Sequence, residues 1–143
     1  MKILIALDSS SYACEILKNI TQRSWSEDTQ FRVITVVRPT GNYETDLELG
    51  HQAKTILDDR VARLKERLKG VQEIDSEIFT GDARATIVQE ARRWKADLIV
   101  LGSHGDTGVR PETIGSVASG VVHDAPCSVE IVKLVTVEQL QTA

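Results

Sequence analysis

Clustered cations, cysteine motifs and long apolar runs are all missing from this chain, and each absence removes a class of function. Only two cysteines occur in 143 residues, Cys14 and Cys127. They lie far apart, without C-x-x-C spacing or an obvious histidine partner, which argues against a disulfide framework or thiolate metal site and fits a reducing compartment. Lys and Arg number 17 against 21 Asp and Glu, for a net charge of −4, and the cations form no patch. A general nucleic-acid binder needs such a patch to neutralise phosphates, so no nucleic-acid partner is expected. No stretch is long enough to span a bilayer, so no membrane partner is expected either. The opening run Ile3-Leu4-Ile5-Ala6-Leu7 stops at Asp8 before a signal-peptide core can form, which points to the cytoplasm. Repeats, low-complexity tracts and composition shifts are absent too, so residues 1–143 are expected to form a single domain.

What is present is an ordinary globular composition, 41% hydrophobic and 27% charged. A chain of this length buries roughly two-thirds of its unfolded surface and needs no staple. Short apolar runs rich in β-branched residues alternate with helix-length amphipathic stretches, the pattern of a parallel sheet with helical crossovers. Five strands are predicted: Lys2 to Leu7, Phe31 to Val37, Ile74 to Thr80, Leu98 to Gly102, and Ser128 to Leu134. A first helix carries Ala13, Ile16, Leu17 and Ile20 at helical spacing, and any of Ser9, Ser10 and Ser11 is a candidate cap. The second helix is expected to be the longest, with Ala53, Ile56, Leu57, Val61, Leu64 and Leu68 on one face and Gly70 at its end. Residues 38–42 before it read as a mobile surface loop. Ile87, Val88, Ala91 and Trp94 face inward from a third helix, and a fourth runs from about Ser116 to Asp124, stopped by Ala125-Pro126. Residues 135–143 read as frayed or weakly helical.

Chemistry concentrates in Gly102-Ser103-His104-Gly105-Asp106-Thr107-Gly108-Val109-Arg110-Pro111-Glu112-Thr113-Ile114-Gly115-Ser116. A buried strand runs into a glycine-bearing loop and then a helix. Glycines let backbone N–H groups approach an anion, and the helix start adds free donors and a positive dipole. No Gly-Lys-Ser/Thr and no G-x-G-x-x-G occurs, which excludes a Walker A loop and a dinucleotide fingerprint. Asp8 adds a carboxylate at the carboxyl edge of the sheet, where ligands of open α/β folds bind. It is also well suited simply to cap the first helix.

The spacing Gly102-x2-Gly105-x9-Gly115-Ser116 resembles the ATP-binding signature of the universal stress protein family. Ala6-Leu7-Asp8-Ser9-Ser10, Thr80-Gly81-Asp82 and Ala125-Pro126-Cys127-Ser128-Val129 resemble further family segments, so the likeness covers most of the chain. It implies a five-stranded parallel open sheet of order 3-2-1-4-5 with helices on both faces, a Rossmann-like fold of the adenine nucleotide alpha hydrolase-like kind. It also implies a homodimer paired antiparallel through the last strand, Ser128 to Leu134; an uncovered edge strand itself invites such pairing. Carried over position by position, the resemblance sets Asp8 beside the ribose or a metal and Val36 and Val37 beside adenine. Gly102 and Gly105 then face ribose and inner phosphates, and Gly115 and Ser116 hold the outer phosphates, with Mg²⁺ as counterion rather than a protein-built metal cluster.

The loop departs from the family in charge. Asp106 follows Gly105 where ATP-holding members often carry a base, and Pro111-Glu112-Thr113-Ile114 precedes Gly115. Carboxylates there repel a triphosphate, favouring weak affinity or a ligand with fewer phosphates, such as AMP. Three functions follow: an ATP-responsive regulatory dimer acting on a client protein, a nucleotide-free dimeric interaction module, and a slow ATP hydrolase. The last lacks a visible water-activating base. His104 has no acid or nucleophile placed beside it by sequence, and the cysteines read as small core residues. Trp25 and Trp94 read as anchors against the sheet.

Overall fold

The five apolar runs become five strands of one sheet in the order β3-β2-β1-β4-β5, with every neighbouring pair parallel. The computed structural model describes residues 1–70, 73–104 and 114–133. Gly105, Asp106, Arg110, Glu112, Leu134 and the tail 135–143 lie outside the described residues. The elements run β1 (Lys2–Ala6), α1 (Ala13–Thr21), β2 (Gln30–Val37), α2 (Tyr43–Arg67), β3 (Glu73–Thr80), α3 (Ala83–Trp94), β4 (Leu98–Gly102), α4 (Ser116–Asp124) and β5 (Ser128–Val132).

Side chains alternate across a strand, so each buried run feeds two cores. Ile3, Ile5, Phe31 and Val33 pack with Ile16 and Ile20 of α1 and Leu57, Val61 and Leu64 of α2. Leu4, Ile34, Ile99 and Leu101 pack on the other face with Ile87, Val88 and Ala91 of α3 and Ala118 and Val121 of α4. Helices therefore cover both faces. The chain grows outward from β1 to β2 and β3, then returns to add β4 on the other side. That reversal opens a crevice between the carboxyl ends of β1 and β4, the place where open α/β sheets bind ligands.

Several local expectations change. No serine side chain caps α1, whose preceding residue is Tyr12 in helical geometry, because the Ser10 hydroxyl turns back to Asp8. On α2, Ile56 is half-buried, whereas Ala53, Leu57, Val61 and Leu64 are buried as expected, as is Leu68 just past its end. The helix ends at Arg67, and Gly70 follows in the turn with φ +95°. Residues 38–42 are exposed but tied down: Asp46 accepts from the Thr40 amide and hydroxyl at 2.8 and 2.6 Å. Those two bonds hold the Asp46 carboxyl below its ordinary pKa. The Asn42 side chain in turn accepts from Thr45 N–H and caps α2.

Both tryptophans pack against the sheet. Trp25 meets Phe31 edge-on at 5.3 Å and donates to the Ile20 carbonyl. Trp94 is half-buried under the Arg32 guanidinium, 4.8 Å from its ring centre.

Candidate functional site

The β1–α1 connection leaves the sheet at Leu7, whose N–H bonds the Ile34 carbonyl. Asp8 then closes a tight turn: its Oδ1 accepts the Ser10 amide at 3.0 Å and the Ser10 hydroxyl at 2.5 Å. This is an Asx turn rather than a helix cap. Both bonds fall on one oxygen, and Oδ2 has no hydrogen-bond partner among the described residues. From the far side of the loop, Arg60 of α2 donates to the carbonyls of Asp8 and Ser10.

The β4–α4 connection starts at Ser103, which is buried and whose N–H bonds the Val132 carbonyl. Gly115 N–H donates to the Ser103 carbonyl at 2.7 Å, drawing the two ends of the glycine loop together. Gly115 thus spends its amide on the protein. A Cβ there would lie 2.9 Å from that same carbonyl oxygen, so only glycine fits the closure. Gly115→Ala is accordingly expected to destabilise the fold by about 1–3 kcal/mol through overpacking against backbone, read as a lower urea midpoint at unchanged slope. An unchanged midpoint would mean that the closure is not needed.

Beyond Gly115, α4 begins without a side-chain cap. Its first intrahelical bond runs from Ser119 N–H to the Gly115 carbonyl. The N–H groups of Ser116, Val117 and Ala118 therefore have no acceptor among the described residues, which leaves them and the helix dipole available to an anion.

A cavity of about 380 Å³ lies over this crevice, within the usual range for small-ligand sites. It brings together Asp8, Val36, Gly102, Gly115 and Ser116 from the sequence-derived set. Val37 is not among its lining residues, because the next residue on a strand faces the other side of the sheet; its carbonyl instead receives Gly81 N–H. Sequence reasoning missed Tyr12 and Arg38, which also line the cavity. Arg38 is exposed and makes no ion pair among the described residues. Neither residue had a signal in the sequence, since nothing local separates them from other loop side chains.

His104 lies on the cavity wall with Nδ1 3.1 Å from the Ser103 hydroxyl. Cys127 is partly buried, and burial pushes its thiol pKa up, with Asp97 adding to the shift. A raised thiol is a poorer nucleophile at neutral pH. Among the described residues, no three His, Cys, Asp or Glu side chains converge on a metal position. No helix there is long and apolar enough to cross a membrane.

The comparisons point one way. The family model for the universal stress protein family matches residues 1–133. A universal stress protein of Synechocystis is 30% identical, covering 92% of this chain and 97% of its own. One from Methanocaldococcus jannaschii is 32% identical, with coverages of 92% and 81%. Among solved structures, a universal stress protein of Lactobacillus plantarum superposes with a TM-score of 0.79 at 26% identity, covering 92% of this chain and 97% of that one. More distant in sequence, with the same fold, are three solved with a ligand: one in complex with cAMP (20%, TM-score 0.70), an Arabidopsis thaliana protein with AMP bound (18%, 0.67) and an Archaeoglobus fulgidus protein in complex with dAMP (22%, 0.63). These cover 92%, 96% and 92% of this chain and 96%, 94% and 96% of their own.

Proposed function

This chain belongs to the universal stress protein family, and we propose that it is an adenine-nucleotide-binding regulatory protein that works as a dimer. The observation that carries the reading is the amino end of α4, whose first three N–H groups have no acceptor among the described residues and open onto a cavity that also holds a carboxylate with one oxygen unpartnered among those residues. A nucleotide offers matching groups for both. Its ribose hydroxyls donate to Asp8 Oδ2, and a phosphate accepts from Ser116, Val117 and Ala118. The base lies over the apolar wall that includes Ala6, Val36 and Ile87. The AMP, cAMP and dAMP held by fold relatives support an adenine base.

ATP with Mg²⁺ is the ligand that the glycine spacing favours, and the cation arrives with the phosphates. Asp8 would be the cavity carboxylate available to that cation. The sequence between Gly105 and Gly115 carries the acidic Asp106 and Glu112, whose charge disfavours a triphosphate, so AMP is the competing ligand. Hydrolysis is the lesser reading, because no cavity carboxylate other than Asp8 lines the described wall as a base for water.

Dimerisation through β5 is supported by its place at the sheet edge and by Val117 and Val122 standing exposed on neighbouring α4. The partner read by such a dimer is a client protein. The test is to purify the protein without added ligand, identify any retained small molecule by mass spectrometry, and titrate ATP with Mg²⁺, AMP and adenosine calorimetrically. Saturable binding of one nucleotide per chain, with little phosphate release and a dimer by sedimentation, is expected. No binding up to millimolar nucleotide would replace this reading with the nucleotide-free interaction module.

A further inference from the structure

We propose that Arg60 is a positioning residue for this site, holding Asp8 in place from helix α2; the proposal rests on the adenine-nucleotide reading above. Arg60 lies outside the cavity lining and is half-buried. Its Nη1 donates to the Asp8 carbonyl at 2.5 Å and its Nη2 to the Ser10 carbonyl at 2.7 Å, reaching back 52 and 50 residues along the chain. It makes no ion pair among the described residues. A half-buried guanidinium committed to two backbone carbonyls, rather than to a carboxylate, fixes the course of the chain that carries them.

The consequence falls on the Asp8 side chain. Its backbone is held from α2, and its Oδ1 is held by Ser10, the other residue in Arg60's grip. Both bonds to Ser10 depend on the loop geometry that Arg60 sets. Helix α1 supplies no substitute, since no side chain caps its start. Without Arg60 the turn keeps its internal Asp8–Ser10 bonds, the Leu7 bond to the Ile34 carbonyl where it leaves the sheet, and the longer bonds from Ala13 to Ser10 and from Cys14 to Ser11, at 3.3 and 3.2 Å, but among the described residues no side chain from another element anchors its carbonyls. Oδ2 then has no fixed position from which to receive a ribose hydroxyl. Lysine cannot replace arginine here, because two separated carbonyls require the planar fork and an ammonium is a single point donor.

Two measurements on the whole protein test this. Amide hydrogen exchange by NMR, without nucleotide, compares wild type with Arg60→Met and Arg60→Lys. The Ser10 amide is expected to exchange about tenfold faster or more in both variants, while the Ile5 and Val33 amides keep their protection as part of the core. Calorimetric titration with AMP then compares wild type, Arg60→Met, Asp8→Ala and the double variant. Arg60→Met is expected to weaken binding about tenfold, the scale of losing one hydrogen bond to a charged group. In the Asp8→Ala background it should cost less than about twofold, because two residues acting through one contact are not additive.

Unchanged Ser10 exchange, full rescue by Arg60→Lys, or losses that multiply in the double variant would each overturn the proposal. A wild type that binds AMP no better than Arg60→Met does overturns it alone. A wild type that binds no AMP overturns the site reading and this proposal together.

Discussion

Ser116→Asp is expected to weaken AMP and ATP binding about a hundredfold or more while the melting temperature stays level or rises slightly. The two effects have opposite signs because they arise from the same groups. A carboxylate in the first turn of α4 meets the N–H groups of Ser116, Val117 and Ala118, which have no acceptor among the described residues, and the positive end of the dipole, a gain of about 0.3–1 kcal/mol. The same carboxylate takes the place proposed for the phosphate. Two unit charges about 5 Å apart at an effective dielectric near 20 repel by about 3 kcal/mol, which is roughly a hundredfold in affinity. Ser116 is exposed, so the longer side chain needs no core space. Adenosine, with no phosphate, should bind the variant within about threefold of wild type, since the ribose and base contacts lie elsewhere. Calorimetry with AMP and adenosine, together with a thermal melt, checks all three outcomes. Equal losses for AMP and adenosine would mean that α4 does not hold the phosphate, and a fall in melting temperature would mean that the carboxylate disturbs the helix.

How far the sequence anticipated this arrangement depended on how local each cause was. Strand β4 and helix α4 have the predicted boundaries, Leu98–Gly102 and Ser116–Asp124. In both cases the signal is contained in the segment itself: an apolar run closed by glycine, and a helix opened after glycine and stopped before Pro126. Asp8, Val36, Gly102, Gly115 and Ser116 were named as a group through the family resemblance, and they line one cavity because parallel topology carries the ends of β1, β2 and β4 to one edge. The roles within that group were less legible. The family resemblance makes Gly115 a phosphate contact, yet its N–H is committed to Ser103, a bond that depends on where the loop returns. Ser9, Ser10 and Ser11 read as helix caps, yet the Asx turn at Asp8 captures the Ser10 hydroxyl first. Arg60 carried no signal at all. It is one of several charged residues on the polar face of α2, and only the packing of that helix against β2, β3 and α1 brings it under the Asp8 loop.

Glu90→Ala is expected to be the most destabilising of these substitutions, at about 2–4 kcal/mol, the cost of removing a buried carboxylate's charge-assisted bonds and leaving Arg32 with Asp75 alone. Glu90 is only 3% exposed, an unusual place for a carboxylate. It accepts from Arg32 Nη1 at 2.8 Å and from Arg93 Nη2 and Nε at 2.6 and 2.9 Å. Arg32 is the costlier partner to lose, because its side chain is only 18% exposed whereas that of Arg93 is 62% exposed. Arg32 also holds Asp75 through Nε and Nη2, which with Glu90 keeps its pKa raised despite burial. Its guanidinium lies over Trp94, where Lys2 approaches the same ring at 5.4 Å. Removing the Glu90 carboxylate unpairs one edge of a guanidinium that cannot move to water without leaving that stack. For a domain of this size the loss corresponds to a melting temperature lower by roughly 10 °C. Glu90→Gln should cost less, since its amide oxygen still accepts from Arg32. Replacing both members together, Glu90→Leu with Arg32→Met, should recover much of the stability, because a packed apolar pair often equals a buried ion pair. Nucleotide affinity should be unchanged in Glu90→Gln, because Arg32 lies near the amino end of β2 and the cavity opens at the carboxyl ends. Thermal melts of the three variants and one AMP titration decide the matter. A double variant less stable than Glu90→Ala would show that the ion pairs hold the α3–sheet packing beyond what apolar burial can replace.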